Sequence, residues 1–385
     1  MIYADNAATT KICSAAKKAL LPFLDENYGN PSSLHSAGQK AAECLEKARA
    51  DIAGCIGAMP CEIYFTSGGS EADNQAILTG AKYGAASGKK HVISQKTEHH
   101  AVLRSLERLE KQGFEITLLD VDINGFVSVE DVRKAIRPDT VMVSVMMANN
   151  EIGTIMPISK IAKVCREKDV LFHTDAVQAA GHIPIDVDEL GCDMLSISAH
   201  KFGGAKGAGA LYCSKGLSPA QLIEGGGQEH GFRAGTENLP GICAMAAALK
   251  EKVTHIEKNS EKVAQLSHEL IAGLRTIPRS VINGSLESRL PGNVNVCFEG
   301  IEGESLLLML DAKGICASAG SACNSGSLAP SYVLKAIGVP DNFINGALRL
   351  SLSEDNTVEE VDYIIISIKE TVEYLRSVSP IWNEK

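Results

Sequence analysis

A lysine and an aspartate each stand at the end of an apolar, strand-like run, where they could do chemistry together. Asp175 follows Val170–Thr174, and Lys201 comes shortly after Met194–Ser198. A lysine amine can form an imine with an aldehyde, and a carboxylate can keep a pyridine nitrogen protonated. Beside a phosphate-binding turn, this pair matches what pyridoxal phosphate needs. A simple salt bridge between the two side chains is the alternative interpretation.

A turn rich in glycine and serine provides a candidate phosphate site. The run Ser67–Ser70 follows the strand-like Tyr64–Thr66 and opens a helix that begins near Glu71. Such a turn presents free backbone N–H groups and the positive end of the helix dipole, and both favour a phosphate. A tight turn closed by a serine cap explains these residues equally well on their own.

Two adjacent histidines follow another strand-like run. They lie in Thr97–Ala101, after the run that contains Val92 and Ile93, and they are His99 and His100. A histidine at a strand end could stack on a flat cofactor ring and move protons, since it titrates near neutral pH. Either one could also be a plain loop residue, and the sequence alone does not choose between them.

These candidate residues need a scaffold that brings strand ends together. From about residue 62 to about residue 212, apolar runs of strand length alternate with helical stretches such as Glu71–Gly84 and Ile158–Lys168. The alternation predicts an α/β fold, with a mainly parallel sheet and helices on both faces. Ligands bind at the carboxyl ends of the strands in such a sheet, so we expect the polar residues to meet there.

The pattern changes beyond Pro240. Residues Ile242–Ile277 predict one or two long helices, and a second α/β pattern runs from about Val281 to Lys385. The sequence therefore predicts a large cofactor-binding domain, a helical connection and a smaller C-terminal α/β domain. We place residues 15–255 in the large domain and residues 1–14 and 256–385 in the small one.

Composition excludes several classes of protein. The chain has 385 residues, of which 45% are hydrophobic and 22% are charged, as is ordinary for a globular protein. A formal net charge of −10 disfavours nucleic-acid binding, which would need a basic face. No apolar run is long enough to cross a bilayer, and the N-terminus does not look like a secretory signal. We therefore expect a cytoplasmic protein with no membrane partner.

The eleven cysteines include one in an unusual setting. There is no C-x-x-C pair and no zinc-ligand spacing of Cys and His, so we expect no metal site. Six cysteines stand in apolar stretches and are expected to be small core residues in a reducing compartment: Cys55, Cys165, Cys192, Cys213, Cys243 and Cys297. Cys323 lies instead in Ala319–Ser327, a run of small residues with little to pack. Such a run predicts a mobile segment, although an incidental exposed cysteine is the alternative.

Nearly the whole chain resembles the NifS/IscS-type cysteine desulfurases, which belong to the class V aminotransferase family of fold-type I (aspartate aminotransferase-like) pyridoxal phosphate enzymes. The resemblance rests on motifs that occur in family order: Tyr3-Ala-Asp-Asn-Ala-Ala-Thr-Thr, Asn30-Pro-Ser-Ser-Leu-His, Phe65-Thr-Ser-Gly-Gly-Ser-Glu-Ala-Asp-Asn, Thr97-Glu-His, Asn149-Asn-Glu-Ile-Gly, His173-Thr-Asp-Ala-Val-Gln, Ser198-Ala-His-Lys, Gly225-Gly-Gly-Gln-Glu, Arg233-Ala-Gly-Thr-Glu-Asn and Gly320-Ser-Ala-Cys. It implies the fold of these transferases, pyridoxal 5′-phosphate as cofactor, and a homodimer.

The resemblance implies a role for each candidate residue. Lys201 looks like the Schiff-base lysine, Asp175 like the partner of the pyridine nitrogen, and His99 like the residue stacked on the ring. The other implied cofactor contacts are Gln178 at the ring hydroxyl, Asn150, and a phosphate cradle of Gly69, Ser70, Ser198, His200 and, from a second subunit, Thr236. Asn150 and Arg349 also resemble the groups that hold the substrate carboxylate, a task that suits the planar fork of a guanidinium.

The resemblance makes Cys323 the catalytic thiol. A mobile loop of about residues 317–330 would carry this thiol to a buried cofactor and then outward. The implied reaction takes sulfur from L-cysteine, gives L-alanine and leaves a persulfide on Cys323, for an iron–sulfur scaffold or a tRNA-thiolation protein. A selenocysteine lyase or another cysteine C–S lyase of the same fold is the close alternative. An aminotransferase and a catalytically silent docking protein are weaker ones.

Three positions depart from the family pattern. Ala205 stands where proline is usual, His230 stands where arginine is common, and Ser353–Asn356 replaces a stretch that usually carries a basic or aromatic residue. We expect a slightly looser turn at Ala205 and a weaker or pH-dependent charge contact near the subunit boundary at His230. None of them involves the lysine, the acid or the nucleophile.

Overall fold

The computed structural model describes residues 1–319, 330–379 and 382. Within these residues the helices, numbered along the chain, are α1 Ser14–Leu20, α2 Ser36–Cys55, α3 Gly69–Ser87, α4 His100–Glu110, α5 Val129–Ala135, α6 Ile158–Glu167, α7 Val187–Leu190, α8 Leu239–Thr254, α9 Ile256–Leu274, α10 Gly303–Ala312, α11 Tyr332–Ala336, α12 Asp341–Ile344 and α13 Val358–Val378. The strands are β1 Ile2–Tyr3, β2 Ile63–Thr66, β3 His91–Gln95, β4 Glu115–Leu119, β5 Thr140–Ser144, β6 Leu171–Asp175, β7 Met194–Ser198, β8 Gly209–Cys213, β9 Ser280–Asn283, β10 Asn293–Phe298, β11 Ile315–Cys316 and β12 Ala347–Ser351.

The central sheet has seven strands in the described part of the chain, in the order β2-β8-β7-β6-β5-β3-β4. Strand β8 is antiparallel to both neighbours, and the other neighbouring pairs are parallel. The predicted α/β fold with a mainly parallel sheet is thus confirmed. Because parallel strands end at the same edge, the carboxyl ends of β6 and β7 lie side by side.

Side chains alternate along the strands and divide the core around this sheet into two layers. Phe65 of β2 belongs to the layer on one face. Met142 of β5 and Met194 of β7 belong to the other layer, beneath helices α3 and α4. Leu171 of β6 packs against this second layer. Asp175 lies four residues later on the same strand, so the alternation points its side chain toward α3 as well.

Local sequence explains where the two helices near these strand ends begin. Helix α4 begins after His99, because the ring Nδ1 of His99 accepts a hydrogen bond from the Ala101 backbone N–H at 3.1 Å. Helix α3 begins at Gly69, after Gly68 with a φ of 155°. That conformation is open mainly to glycine.

A second core lies in the C-terminal part and includes the start of the chain. Strands β12, β10 and β9 form an antiparallel sheet in that order, and α9 and α13 pack on it. Strand β1 pairs in parallel with β11, which brings Ala4 into this core. The change of pattern beyond Pro240 corresponds to α8 and α9 followed by this second core. The domain boundaries predicted near residues 15 and 255 stay a prediction.

Ten cysteines lie among the described residues, and all of these are free thiols. Cys165, Cys192, Cys213 and Cys297 are buried, whereas Cys55 and Cys243 are partly buried and pack against the core. Cys323 and most of the predicted loop of residues 317–330 fall outside the described residues. In the ranges that the structure describes, no helix is both long and apolar enough to span a membrane.

Candidate active site

A solvent-open cavity of about 210 Å³ lies at the carboxyl ends of β6 and β7. It brings together ten of the predicted site residues: Gly69, Ser70, His99, Asn150, Asp175, Gln178, Ser198, His200, Lys201 and Arg349. Its wall is completed by residues without a predicted role: Ala7, Ala8, Asp73, Met146, Val177 and Tyr332. The fold therefore collects in one place side chains that are distributed over most of the sequence.

The first turn of α3 has the shape of an anion cradle. A Cβ atom added at Gly69 would lie 2.5 Å from Val177 Cγ2, so only glycine allows the helix to approach this closely. Ser70 follows in the same turn, and Ser198 and His200 come from the end of β7. Backbone N–H groups at a helix N-terminus bind phosphates, and hydroxyl groups add donors. These residues fit the phosphate of pyridoxal phosphate.

Asp175 is a buried carboxylate at the end of β6, with 5% of its surface exposed. Its Oδ1 accepts a hydrogen bond from the Val177 backbone N–H at 2.8 Å. Burial raises the pKa of Asp175 to about 6, against the opposing effects of this hydrogen bond and of Lys201. A protonated pyridine nitrogen would stabilise the carboxylate, because an opposite charge nearby favours the ionised form. The buried carboxylate of Asp175 therefore suits its predicted role as the partner of the pyridine nitrogen.

Lys201 stands at the end of the 3₁₀ turn Ala199–Lys201, which follows β7 directly. Its Nζ donates hydrogen bonds to the carbonyl oxygens of Ala7 at 2.6 Å and Ala8 at 2.9 Å. Gln178 Nε2 donates to the same Ala7 oxygen at 3.0 Å. The N-terminal segment thus holds two of the predicted cofactor ligands. Sequence reasoning assigned no role to Ala7 and Ala8, although both belong to the Tyr3–Thr10 motif.

The structure separates the two adjacent histidines. His99 lines the cavity, whereas the His100 ring packs against Tyr332 with the ring centroids 4.8 Å apart. Because His99 Nδ1 accepts a backbone N–H, the neutral ring carries its proton on Nε2. Burial and the nearby Lys201 lower the pKa of His99 to about 4, which keeps the ring neutral at pH 7. The geometry favours His99 for the stacking role, which stays a prediction.

Two buried acids beside the cavity had no predicted role. Asp73 of α3 is 1% exposed, and its Oδ1 lies 3.7 Å from Nε2 of the buried His173. Burial and the neighbouring Asp175 raise the pKa of Asp73 well above its ordinary value. Glu98, next to His99, accepts hydrogen bonds on Oε1 from the Met146 backbone N–H and the Gln95 side chain. Burial raises the pKa of Glu98 to about 8.

Glu98→Gln should change how the stability of the cofactor-free protein depends on pH. The pKa of Glu98 is raised to about 8 in the folded protein. In the unfolded chain the same carboxyl group has its ordinary pKa, about 4, so between these two pH values only the folded protein keeps the proton. The contribution of this group to stability is complete below about pH 4 and is lost as the pH rises through about 8. The variant should therefore unfold at a higher temperature than the wild type at about pH 9, and at the same temperature at about pH 4.

Thermal unfolding followed by circular dichroism across this pH range measures the effect. Glu110→Gln, on the exposed side of α4, is the matched control and should follow the wild type at every pH. If the unfolding temperature of Glu98→Gln changed with pH in the same way as that of the wild type, the result would contradict the claim that burial raises the pKa of Glu98.

Arg349, in the middle of β12, is 1% exposed and points its guanidinium at the cavity. Its Nη1 donates to the Asn150 carbonyl oxygen at 3.1 Å, and its Nη2 donates to Asp5 Oδ1 at 3.0 Å. The Arg349 Nε and the Asn150 side-chain oxygen are buried and have no hydrogen-bond partner within the described ranges. Buried polar atoms are costly unless paired, so both fit a polar ligand such as a carboxylate or an amine.

The two remaining predicted site residues are Thr236 and Cys323. Thr236 is exposed and does not line the cavity of its own chain; its predicted contribution comes from a second subunit and stays a prediction. Cys323 lies outside the described residues, so its predicted role also stays a prediction.

Known proteins share both the sequence and the fold of this chain. The family described as aminotransferase class-V matches residues 2–364. A cysteine desulfurase IscS of Methanosarcina thermophila is 50% identical over 380 residues, which cover 99% of this chain and 94% of the relative. The solved structure of a NifS-like protein superposes with a TM-score of 0.91 at 38% identity, covering 97% of this chain and 100% of that protein. The structure of SspA in complex with cysteine gives a TM-score of 0.81 at 36% identity, with 92% of this chain and 99% of SspA covered.

The matched family region contains every predicted site residue, including Cys323. The solved relatives match the fold over nearly the whole chain. As the sequence motifs predicted, the chain belongs to the class-V aminotransferase family and, within it, to the IscS/NifS-type cysteine desulfurases.

Proposed function

We propose that this cysteine desulfurase binds pyridoxal 5′-phosphate in the cavity at the ends of β6 and β7. The observation that carries the proposal is the meeting of Lys201, the buried Asp175 and the first turn of α3 around one cavity. When bound, the cofactor supplies an aldehyde that captures amines and a protonated ring that withdraws electrons from them. Asp175 would hold the proton on the ring nitrogen, and Gln178 would contact the ring hydroxyl.

Lys201 would move the proton at the substrate α-carbon. Its Nζ is within hydrogen-bond reach of the Ala7 and Ala8 carbonyl oxygens, which accept from the ammonium form. After Nζ takes the α-proton, these two oxygens would hold the resulting ammonium beside the cavity until the proton is returned. His99, neutral because its pKa is lowered to about 4, would cover the ring and donate from Nε2 without adding charge.

Cys323 would collect the sulfur. Its thiolate attacks the sulfur of the bound cysteine, so that an S–S bond forms while the Cβ–S bond breaks. The electron pair of the broken bond would stay on the β-carbon, which would take up a proton from solvent, and the three-carbon product would leave as L-alanine. This role rests on the Gly320-Ser-Ala-Cys motif of the sequence.

Arg349→Ala should raise the KM for L-cysteine by on the order of 10²-fold, because a buried, charge-assisted pair with the substrate carboxylate is lost. Cysteamine, which lacks the carboxylate, should react equally well with the variant and the wild type. Steady-state sulfide release with both substrates measures the difference. Arg133→Ala, an arginine paired at the surface with Glu167, is the control and should match the wild type. An unchanged KM for L-cysteine in Arg349→Ala would remove Arg349 from the substrate site.

The proposed reaction is tested by incubating the purified protein with L-cysteine and a reductant, and measuring alanine and sulfide. Equal amounts of both support the desulfurase. Conversion of the cofactor to pyridoxamine phosphate with release of a keto acid would favour an aminotransferase. Competition between L-cysteine and L-selenocysteine distinguishes a cysteine desulfurase from a selenocysteine lyase, because the lyase would strongly prefer L-selenocysteine.

We further propose an iron–sulfur scaffold or a tRNA-thiolation protein as the acceptor of the sulfur, and a cytoplasmic homodimer in which Thr236 reaches the phosphate of the other subunit. The exposure of Thr236 on its own chain supports this arrangement. The acceptor is identified by adding each candidate protein and following the transfer of labelled sulfur from the enzyme.

A further inference from the structure

Asp5 forms an ion pair with the arginine that is proposed to hold the substrate carboxylate. Its Oδ1 accepts from Arg349 Nη2 at 3.0 Å, and its side chain is 19% exposed, against 2% for that of Arg349. Asp5 does not line the cavity, so a bound substrate would contact Arg349 and not Asp5. Any influence of Asp5 on the substrate therefore acts through the guanidinium.

The backbone fixes Asp5 in this position. Ser351, two residues after Arg349, donates its N–H to the Ala4 carbonyl at 2.7 Å and accepts on its own carbonyl from the Asn6 N–H at 3.2 Å. Asp5 and Ser351 thus form a parallel bridge beside β12. This bridge fixes the backbone of Asp5 two residues away from the strand position of Arg349 and so places the carboxylate against the guanidinium.

A second described acid that interacts with Arg349 is Glu151, which is 0% exposed. Its Oε2 accepts from Ser331 Oγ at 2.5 Å, and burial raises its pKa. Asp5 is consequently the acid in direct contact with Arg349, and it offsets the positive charge that the guanidinium presents to a ligand.

We infer that Asp5 is a positioning and specificity-determining residue, which holds Arg349 in place and reduces its attraction for simple carboxylates. An isolated carboxylate then gains little from binding, whereas an amino acid also reacts through its amine. The cavity would in this way select amino-acid zwitterions over the many organic acids that share only the carboxylate. The inference rests on the proposed role of Arg349 in substrate binding.

The test compares two probes on the holoenzyme: 3-mercaptopropionate, whose affinity is measured by isothermal titration, and cysteamine, whose KM is measured by sulfide release. 3-Mercaptopropionate has the carboxylate and thiol of cysteine without the amine, and cysteamine has the amine and thiol without the carboxylate. Asp5→Asn keeps the oxygen that accepts from Arg349 but removes the charge. We expect it to bind 3-mercaptopropionate about tenfold more tightly than the wild type, a difference of about 1.4 kcal/mol.

The KM for cysteamine should stay within about twofold, which also shows that the variant has an intact site. Asp120→Asn removes the same charge from an aspartate that is 83% exposed, and should bind both probes like the wild type. An unchanged or weaker affinity of Asp5→Asn for 3-mercaptopropionate would overturn the inference. Failure of the proposed function would be seen elsewhere, as a wild-type enzyme that forms no alanine, or as unchanged 3-mercaptopropionate binding in Arg349→Ala.

Discussion

Lys201→Ala should lose the visible absorbance of the bound imine, near ~420 nm, and should form no measurable alanine from L-cysteine. Without the amine, the protein can neither hold the cofactor aldehyde as an imine nor move the proton at the substrate α-carbon. Proton transfer by a positioned side chain alone contributes about 10²–10⁴-fold, so the loss of rate should reach at least that range. Spectra of the purified variant and single-turnover alanine formation measure the two effects.

Lys215→Ala, an exposed lysine beyond β8, is the matched control and should retain both the colour and the rate. The Ala7 carbonyl loses the ammonium in Lys201→Ala but still accepts a hydrogen bond from Gln178 Nε2. Retention of the absorbance band by Lys201→Ala would mean that another amine holds the cofactor, and would refute the assignment.

Cys323→Ser should abolish persulfide formation on the protein, because a hydroxyl group at this position is a far weaker nucleophile than a thiolate. We expect alanine formation in the presence of a reductant to fall by at least about 10²-fold, since the acceptor of the sulfur is missing. The absorbance of the cofactor should be unchanged, because the predicted cofactor contacts do not include Cys323. Digestion and mass spectrometry after one turnover locate the sulfur.

Cys61→Ser replaces an exposed cysteine and should behave like the wild type in both assays. If Cys323→Ser still carried a persulfide, on another of the cysteines, and formed alanine at the wild-type rate, then the sulfur acceptor would be a different residue.

The scaffold and its catalytic edge could be predicted from local patterns. Lys201 and Asp175 follow apolar runs of strand length, and parallel strands end at one edge, so their proximity follows from the fold class. The predicted run Met194–Ser198 coincides with β7, and Val170–Thr174 differs from β6 by one residue at each end. A strand that is buried on both faces of the sheet appears in the sequence as a continuous run of apolar residues.

Contacts that depend on tertiary structure could not be predicted in this way. Arg349 and Lys201 both contact the short segment Asp5–Ala8 only because β1 pairs with β11 and the chain then passes β12. Ala7 and Ala8 act through backbone carbonyls, which no side-chain pattern reveals. The choice of His99 over His100 depends on the turn that begins α4, where His99 precedes the helix and His100 is its first residue.

The buried acids were missed for a different reason. Asp73 lies in a helix whose sequence is compatible with an exposed acid, and Glu98 lies in a loop between a strand and a helix. Composition and periodicity give no measure of burial for a single carboxylate, and most acids are exposed. The motifs Phe65–Asn74 and Thr97–His99 contained these residues, but the motifs alone did not give them a function.

The most direct test of the central claim is a single turnover of the purified enzyme with L-cysteine labelled on sulfur. A cavity that holds Lys201 beside the cofactor, and a thiol at Cys323 that collects the sulfur, predict one equivalent of L-alanine together with labelled persulfide on the peptide that contains Cys323. Label recovered only as free sulfide, with no alanine or with a keto acid in its place, would contradict this account of the enzyme.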